Sequence, residues 1–146
     1  MILKAERLSA GYARIQVLKA IDLEVKKGEI VCLVGANGAG KSTLLKVLSG
    51  VIPPTAGAFT FDGRDVTGRK PNQLVRMGLS HVPEGRQIFG SLTVKQNLFL
   101  GAYVNPAKKE RLDDLLESVF GLFPKLKERL AQKAGTMSGG EQQMLA

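Results

Sequence analysis

Apolar and polar positions fall into two regimes: strand-like patterns to about residue 83 and helical ones beyond it. Residues 2–8 read as a short strand, and Ala10-Gly11-Tyr12-Ala13 as a turn. Residues 15–18 follow. Then Ile21, Leu23 and Val25 alternate with Asp22, Glu24 and Lys26, the period-two pattern of a half-exposed strand. Lys26-Lys27-Gly28 closes it as a hairpin-type turn. Ile30-Val31-Cys32-Leu33-Val34 is apolar on both faces, which predicts a parallel-sheet strand covered on both sides. In residues 41–49, Leu44, Leu45, Val47 and Leu48 have helical spacing, with Gly50 as the stop. Residues 58–61 read as a strand entering an Asp62-Gly63 turn. Residues 71–77 read as a short helix with Pro71 in its first turn, and 79–82 as a strand ended by Pro83. Thr93 caps a predicted helix through Gly101. Asn105-Pro106 opens another, with Leu112, Leu115, Leu116, Val119 and Phe120 on one face, and a third spans 124–130. Ser138-Gly139-Gly140 precedes a helix start at Glu141.

One stretch carries specific chemistry. Gly35-Ala36-Asn37-Gly38-Ala39-Gly40-Lys41-Ser42 fits G-x-x-x-x-G-K-[ST], between an apolar predicted strand and an amphipathic predicted helix. Glycines permit positive φ and close backbone approach, so successive amides can form a nest around a phosphate. A helix beginning at Lys41 aims its N-terminal amides and positive dipole end at the same anion. In this pattern the Lys41 ammonium reaches the β- and γ-phosphates, and the Ser42 hydroxyl ligates Mg²⁺.

Composition narrows the classes further. The chain has 146 residues, 44% of them hydrophobic, which suits one ordered domain. The longest clean apolar run, 30–34, falls short of the ~20 residues of a membrane span. Lys4, Glu6 and Arg7 interrupt any secretory pattern in the first ten positions. The single Cys32 excludes an internal disulfide, fits a reducing compartment, and reads mid-strand as a buried, inert thiol. His81 has no neighbouring ligand types and predicts no metal site. The formal charge of +8 raises nucleic acid, an anionic membrane or a small anionic ligand. It is spread, +5 in residues 1–73 and +3 in 74–146, with no basic run longer than pairs such as Lys108-Lys109. No basic stretch is interleaved with aromatics. Solvated faces are the simpler reading, and nucleic-acid binding is the weakest of the functional alternatives.

The wider wording selects a family. Asn37-Gly38-Ala39-Gly40-Lys41-Ser42-Thr43, with Met137-Ser138-Gly139-Gly140-Glu141-Gln142 about 100 residues later, resembles the ATP-binding-cassette (ABC) ATPases. Val82-Pro83-Glu84-Gly85-Arg86-Gln87-Ile88-Phe89, then Leu92-Thr93-Val94 and Asn97-Leu98, resembles the ATPase of branched-chain (hydrophobic) amino-acid importers, the smaller of its two ATPase partners. The likeness runs from Leu3 to Ala146. It implies an α/β fold: a P-loop NTPase core with an antiparallel strand layer (residues 1–84) and a helical subdomain (85–146). It implies ATP and Mg²⁺ as ligands, with Tyr12 stacking on adenine and residues 35–43 holding phosphates. Ser42 and Glu84 would lie at the metal. Ser138, Gly139, Gly140 and Glu141 would serve the nucleotide of an opposing subunit in a head-to-tail dimer. The helical half would contact transmembrane permease subunits, at the inner face of the cell membrane on the cytoplasmic side. No nucleic-acid partner is implied.

Two kinds of departure matter. Glu84 and Glu141 stand where most of the family has Gln; Glu84 can still offer oxygen to Mg²⁺, and Arg86 is close enough in sequence to offset its charge. Family members also continue into an apolar strand ending in Asp-Glu and later a His, which hold the metal, polarise the water and sense the γ-phosphate. The 146 residues contain no counterpart. Asp113-Asp114 shares a charged helical face with Glu110 and Glu117 and reads as solvated surface. Phe120, Leu122 and Phe123 read as core. The expectation is therefore the N-terminal portion of an importer ATPase that binds ATP without turnover. Without later strands, residues 30–34 should lie at an open edge or poorly covered. The alternative is a catalytically silent nucleotide- or partner-binding fragment.

Overall fold

The computed structural model describes residues 1–103 and 112–146, and the chain divides into two units, Met1–His81 and Val82–Ala146. The helix start expected at Asn105-Pro106 lies outside the described residues.

In the first unit β1 (Leu3–Tyr12) and β2 (Ile15–Val25) form a long antiparallel hairpin, so strand continues through the expected turn residues Ala10 to Tyr12. The turn is one step later, with Ala13 at φ 51°. The break expected between 15–18 and 21–25 is a bulge, not a loop. Arg7 (φ 50°) and Ala20 (φ 49°) leave the pleat. The displaced amides are satisfied by side chains: Arg7 N donates to Asp22 Oδ1 (2.8 Å), and Ala20 N to Ser9 Oγ (2.9 Å). The bulge places Lys19 and Ala20 consecutively outward, which resets the alternation before Ile21.

β3 (Ala56–Phe61) pairs antiparallel with β1, and β4 (Arg64–Asp65) with β3 through Asp62 (φ 49°) and Gly63 (φ 72°), a type I′ geometry. The sheet order is β2-β1-β3-β4. Its inner face carries Ala5, Leu8, Ala10, Leu18 and Phe59. They pack with Leu44, Val47 and Leu48 of α1 (Lys41–Leu48) and Leu74 of α2 (Pro71–Arg76). Each fully buried large side chain contributes about 1.5–3 kcal/mol over exposure. A Schellman end stops α1: Gly50 N bonds Val47 O (3.0 Å) and Val51 N bonds Lys46 O (2.9 Å).

Two expected strands do not form. Residues 30–34 have no ladder partner, and Ile30 and Val34 are 91% and 94% exposed. A strand needs a neighbour to receive its amides and carbonyls, and the antiparallel sheet closes without this segment. Cys32 is accordingly exposed, contrary to the buried thiol expected. Residues 79–82 are likewise without a ladder.

In the second unit α3 (Val94–Ala102) begins at a capping box, with Thr93 Oγ1 accepting from Gln96 N and Gln96 Oε1 accepting from Thr93 N. Asn97 pins the preceding loop, its Oδ1 accepting from Phe89 N (2.9 Å) and its Nδ2 donating to Phe89 O (3.1 Å). Residues 90–95 run beside 130–135 through Gly135 N to Gly90 O, Ala134 N to Leu92 O, and Val94 N to Gln132 O. Helices α4 (Leu112–Leu122), α5 (Pro124–Glu128) and α6 (Gly139–Leu145) complete the unit. Val94, Phe120, Leu126, Ala134 and Met137 are its core, with Leu116, Val119 and Phe123 packed against them. Leu122 and Leu115 are exposed, so the apolar stripe of α4 is narrower than its sequence pattern. Asp113 and Asp114 are exposed in the first turn of α4, where negative charge suits the helix dipole. No helix among the described residues is long and apolar enough to cross a membrane.

Candidate functional site

Residues 35–43 link the unpaired 30–34 segment to α1. Ala39 N donates to Ala36 O (3.2 Å), closing a turn around Asn37 and Gly38. Gly38 (φ 83°) and Gly40 (φ 94°) are left-handed, a region costly for residues with a Cβ. At Gly40 a Cβ would also meet Leu18 Cδ2 at 3.0 Å and Val17 Cγ1 at 3.2 Å. The loop therefore rests against β2, on the hairpin that carries Tyr12. At Gly38 a Cβ would meet nothing within 4 Å, so the loop opens outward there. Gly40 is the N-cap of α1 and brings no capping side chain, while Leu44 N closes the first turn on Gly40 O (2.8 Å). The amides before it have no intrahelical acceptor by geometry.

Lys41 Nζ donates to Gly35 O and Ala36 O, both at 2.8 Å, so the ammonium lies against the loop's own backbone. Thr43 is buried beneath, and residues 35 to 39 are exposed. Tyr12 stands at the end of β1, opposite Ile15, and the residue is 45% exposed. A donor set of loop amides, helix-start amides and an ammonium fits an anion, and a hydroxyl at Ser42 fits a hard cation's oxygen shell. Among the described residues no group of three or more His, Cys, Asp and Glu converges as a metal site.

The other expected site residues belong to the second unit. Glu84 lies in an exposed turn followed by three left-handed residues: Gly85 (φ 79°), Arg86 (φ 66°) and Gln87 (φ 52°). Ser138 is the N-cap of α6, which starts at Gly139, two residues before the expected start. Ser138 and Glu141 form a capping box: Glu141 Oε2 accepts from Ser138 N (2.9 Å) and Oγ (2.8 Å). Arg129 Nη2 lies 3.2 Å from Glu141 Oε1. The Ser138 hydroxyl and amide, aided by Arg129 and Lys125, hold the Glu141 carboxyl below the ordinary glutamate range.

The Arg86 guanidinium reaches α6, where Nη1 donates to Gln142 Oε1 (3.0 Å) and Nη2 lies against Gly139. The left-handed run redirects the chain after Glu84, which residue spacing alone does not reveal. Gln142 and Asn97 are further positions whose role is missed in the sequence beyond their place in a motif. Both use side-chain amides to bind loop backbone.

A glycine loop opening a helix on an antiparallel layer, joined in one chain to a helical unit with a Ser-Gly-Gly helix start, is the framework of a nucleotide-binding ATPase domain. Residues 18–146 match the ABC transporter family. The chain is 46% identical over 145 residues to the high-affinity branched-chain amino acid transport ATP-binding protein BraG of Pseudomonas aeruginosa. It is 37% identical over 145 residues to the probable branched-chain amino acid transport ATP-binding protein LivF of Archaeoglobus fulgidus. Each comparison covers 99% of this chain and 61% of the relative. A solved ATP-binding subunit of an ABC transporter is 30% identical with a TM-score of 0.86, over 99% of this chain and 59% of that one. The chain belongs to the ABC transporter family, as part of its ATPase domain, and spans about three fifths of the length of these relatives.

Proposed function

We propose that the chain is the ATP-binding portion of an importer subunit that couples ATP binding and hydrolysis to uptake of branched-chain (hydrophobic) amino acids. The observation that carries the ATP site is the loop at 35–43. Left-handed Gly38 and Gly40 bend it into the start of α1, and Lys41 sits on its backbone. The transported class is inferred from the names of the two relatives.

In this reading Tyr12 stacks on adenine, and Gly35, Asn37, Gly38, Ala39 and Gly40 present backbone amides to phosphate. Lys41 binds the β- and γ-phosphates, and Thr43 anchors the first turn of α1. Ser42 and Glu84 donate oxygen ligands to Mg²⁺, which would neutralise phosphate charge. Ser138, Gly139 and Gly140 face nucleotide on a second ATPase subunit, with Glu141 fixing the helix start. Permease subunits and the inner membrane surface are the expected neighbours.

Phosphoryl transfer needs the metal held and the water oriented as well as the phosphates bound. The Asp-Glu pair and His implied for those tasks are not among the 146 residues. This stretch alone therefore binds Mg-ATP without turnover. Equilibrium dialysis with Mg-ATP and a phosphate-release assay test this. Lys41→Ala should weaken binding roughly 10- to 100-fold, the range for losing a charge-assisted hydrogen bond of about 1.5–3 kcal/mol. Phosphate release that vanishes with Lys41→Ala would refute the silent reading. Binding unchanged by Lys41→Ala would refute the site.

A further inference from the structure

The start of α6 is held by two side-chain clamps. One is internal: Ser138, Glu141 and Arg129. The other reaches the loop after Glu84. Gln142 Nε2 donates to Met137 O (3.0 Å), Ala134 O (3.3 Å) and Gly135 O (3.3 Å), gathering the turn before α6. Its Oε1 accepts from Arg86 Nη1 at 3.0 Å. A Cβ on Gly139 would come within 2.8 Å of Arg86 Nη2 and 3.3 Å of its Cζ, so the guanidinium lies flat against that glycine.

The backbone delivering this side chain is unusual. Gly85, Arg86 and Gln87 are successive left-handed residues, with Gln87 N on Gly85 O at 2.7 Å. Non-glycine residues stay in that conformation only where their surroundings over-determine it. The contacts of Arg86 with Gln142 and Gly139 supply a tertiary restraint of that kind. The planar guanidinium suits the task, since one fork can bond the Gln142 carbonyl and cover Gly139 together.

We propose that Arg86 is a positioning residue that ties the loop carrying Glu84 to the Ser138-Gly139-Gly140 helix start, so that the two segments order and loosen as one piece. The inference rests on the nucleotide-site reading for its functional meaning: a change at Glu84 would be passed to the glycines that face the opposing nucleotide. It assigns Arg86 a place outside the metal shell and Gly139 a second reason to lack a side chain.

Amide hydrogen exchange on the 146-residue chain tests it, with Mg-ATP affinity measured in parallel. Arg86→Ala should speed exchange of residues 85–88 and 139–142 together, about fivefold, on the scale of one exposed hydrogen bond. Amides of Val94 and Leu126 in the core should be unchanged, and the Kd for Mg-ATP should stay within about twofold, since the 35–43 loop is untouched. Gly139→Ala should speed exchange of the same two segments by displacing the guanidinium, and should add no acceleration to Arg86→Ala. Acceleration of only one segment, or an even rise through residues 82–146 in both variants, would overturn the proposal. Absence of Mg-ATP binding in the unsubstituted chain would sink the nucleotide reading instead, and leaves the exchange result to decide the link.

Discussion

Glu141 shows how one residue can satisfy a local rule while departing from a family pattern. Glutamate at the third helical position accepts from Ser138 as glutamine would, and adds charge at the positive end of α6 and to Arg129. Its carboxyl is held below the ordinary glutamate value of about 4.5 by Ser138 and then by Arg129 and Lys125. The folded form therefore binds the proton less readily than the unfolded one. Its stabilising contribution is full above about pH 4.5 and is lost as pH falls through the lower folded value. Glu141→Gln should keep the capping box and flatten the pH dependence of α6 amide exchange below pH 4.5, a comparison NMR can make directly. The two loop glycines differ in kind. Gly38→Ala should cost about 1–2 kcal/mol, the left-handed penalty alone. Gly40→Ala should cost more, up to about 3 kcal/mol, because its Cβ also presses on Leu18 and Val17. Urea unfolding of the pair separates the two costs.

At the scale of elements, what was legible in the sequence was whatever depends on neighbours along the chain. Thr93 announced its cap, Gly50 its helix stop, and Asp62-Gly63 its hairpin, while the helix after Ser138 begins two residues earlier than its pattern suggests. The alternation of Ile21, Leu23 and Val25 survives as half-buried positions facing exposed ones. What was not legible depends on partners in space. The bulge at Arg7 and Ala20 turned one strand into two apparent ones, because a single extra residue reverses the faces. Residues 30–34 have strand composition but no ladder, and β propensity is a statement about fitting a pleated surface that must be supplied. At the candidate site, the local structure legible from spacing was the glycine loop opening α1 and a helix start just after Ser138. The partner of Arg86 was not, since three left-handed residues decide where it points.

Across the whole molecule, the exposed apolar segment is the main liability. Ile30 and Val34 stand almost fully in water beside the site loop, with unpaired strand-forming backbone. Such a segment pairs with other copies unless charge opposes it. Ile30→Lys with Val34→Lys should lower self-association in sedimentation velocity while changing the unfolding free energy from urea titration by no more than a surface change, about 0.5 kcal/mol. Association unchanged by both lysines would place the sticky surface elsewhere. The charge of +8 also takes a definite meaning at this scale. It is diffuse, and the cation that the phosphate reading depends on is one residue, Lys41, rather than a basic face.

The most direct test of the central claim is an amide NMR titration of the chain with Mg-ATP, repeated on Lys41→Ala. The account predicts saturable shifts concentrated at Gly35, Asn37, Gly38, Ala39, Gly40, Lys41 and Ser42, with a ring-current effect near Tyr12, and their weakening in the Lys41→Ala variant. Shifts scattered over exposed lysines and arginines, dispersed by salt and indifferent to Lys41→Ala, would contradict it.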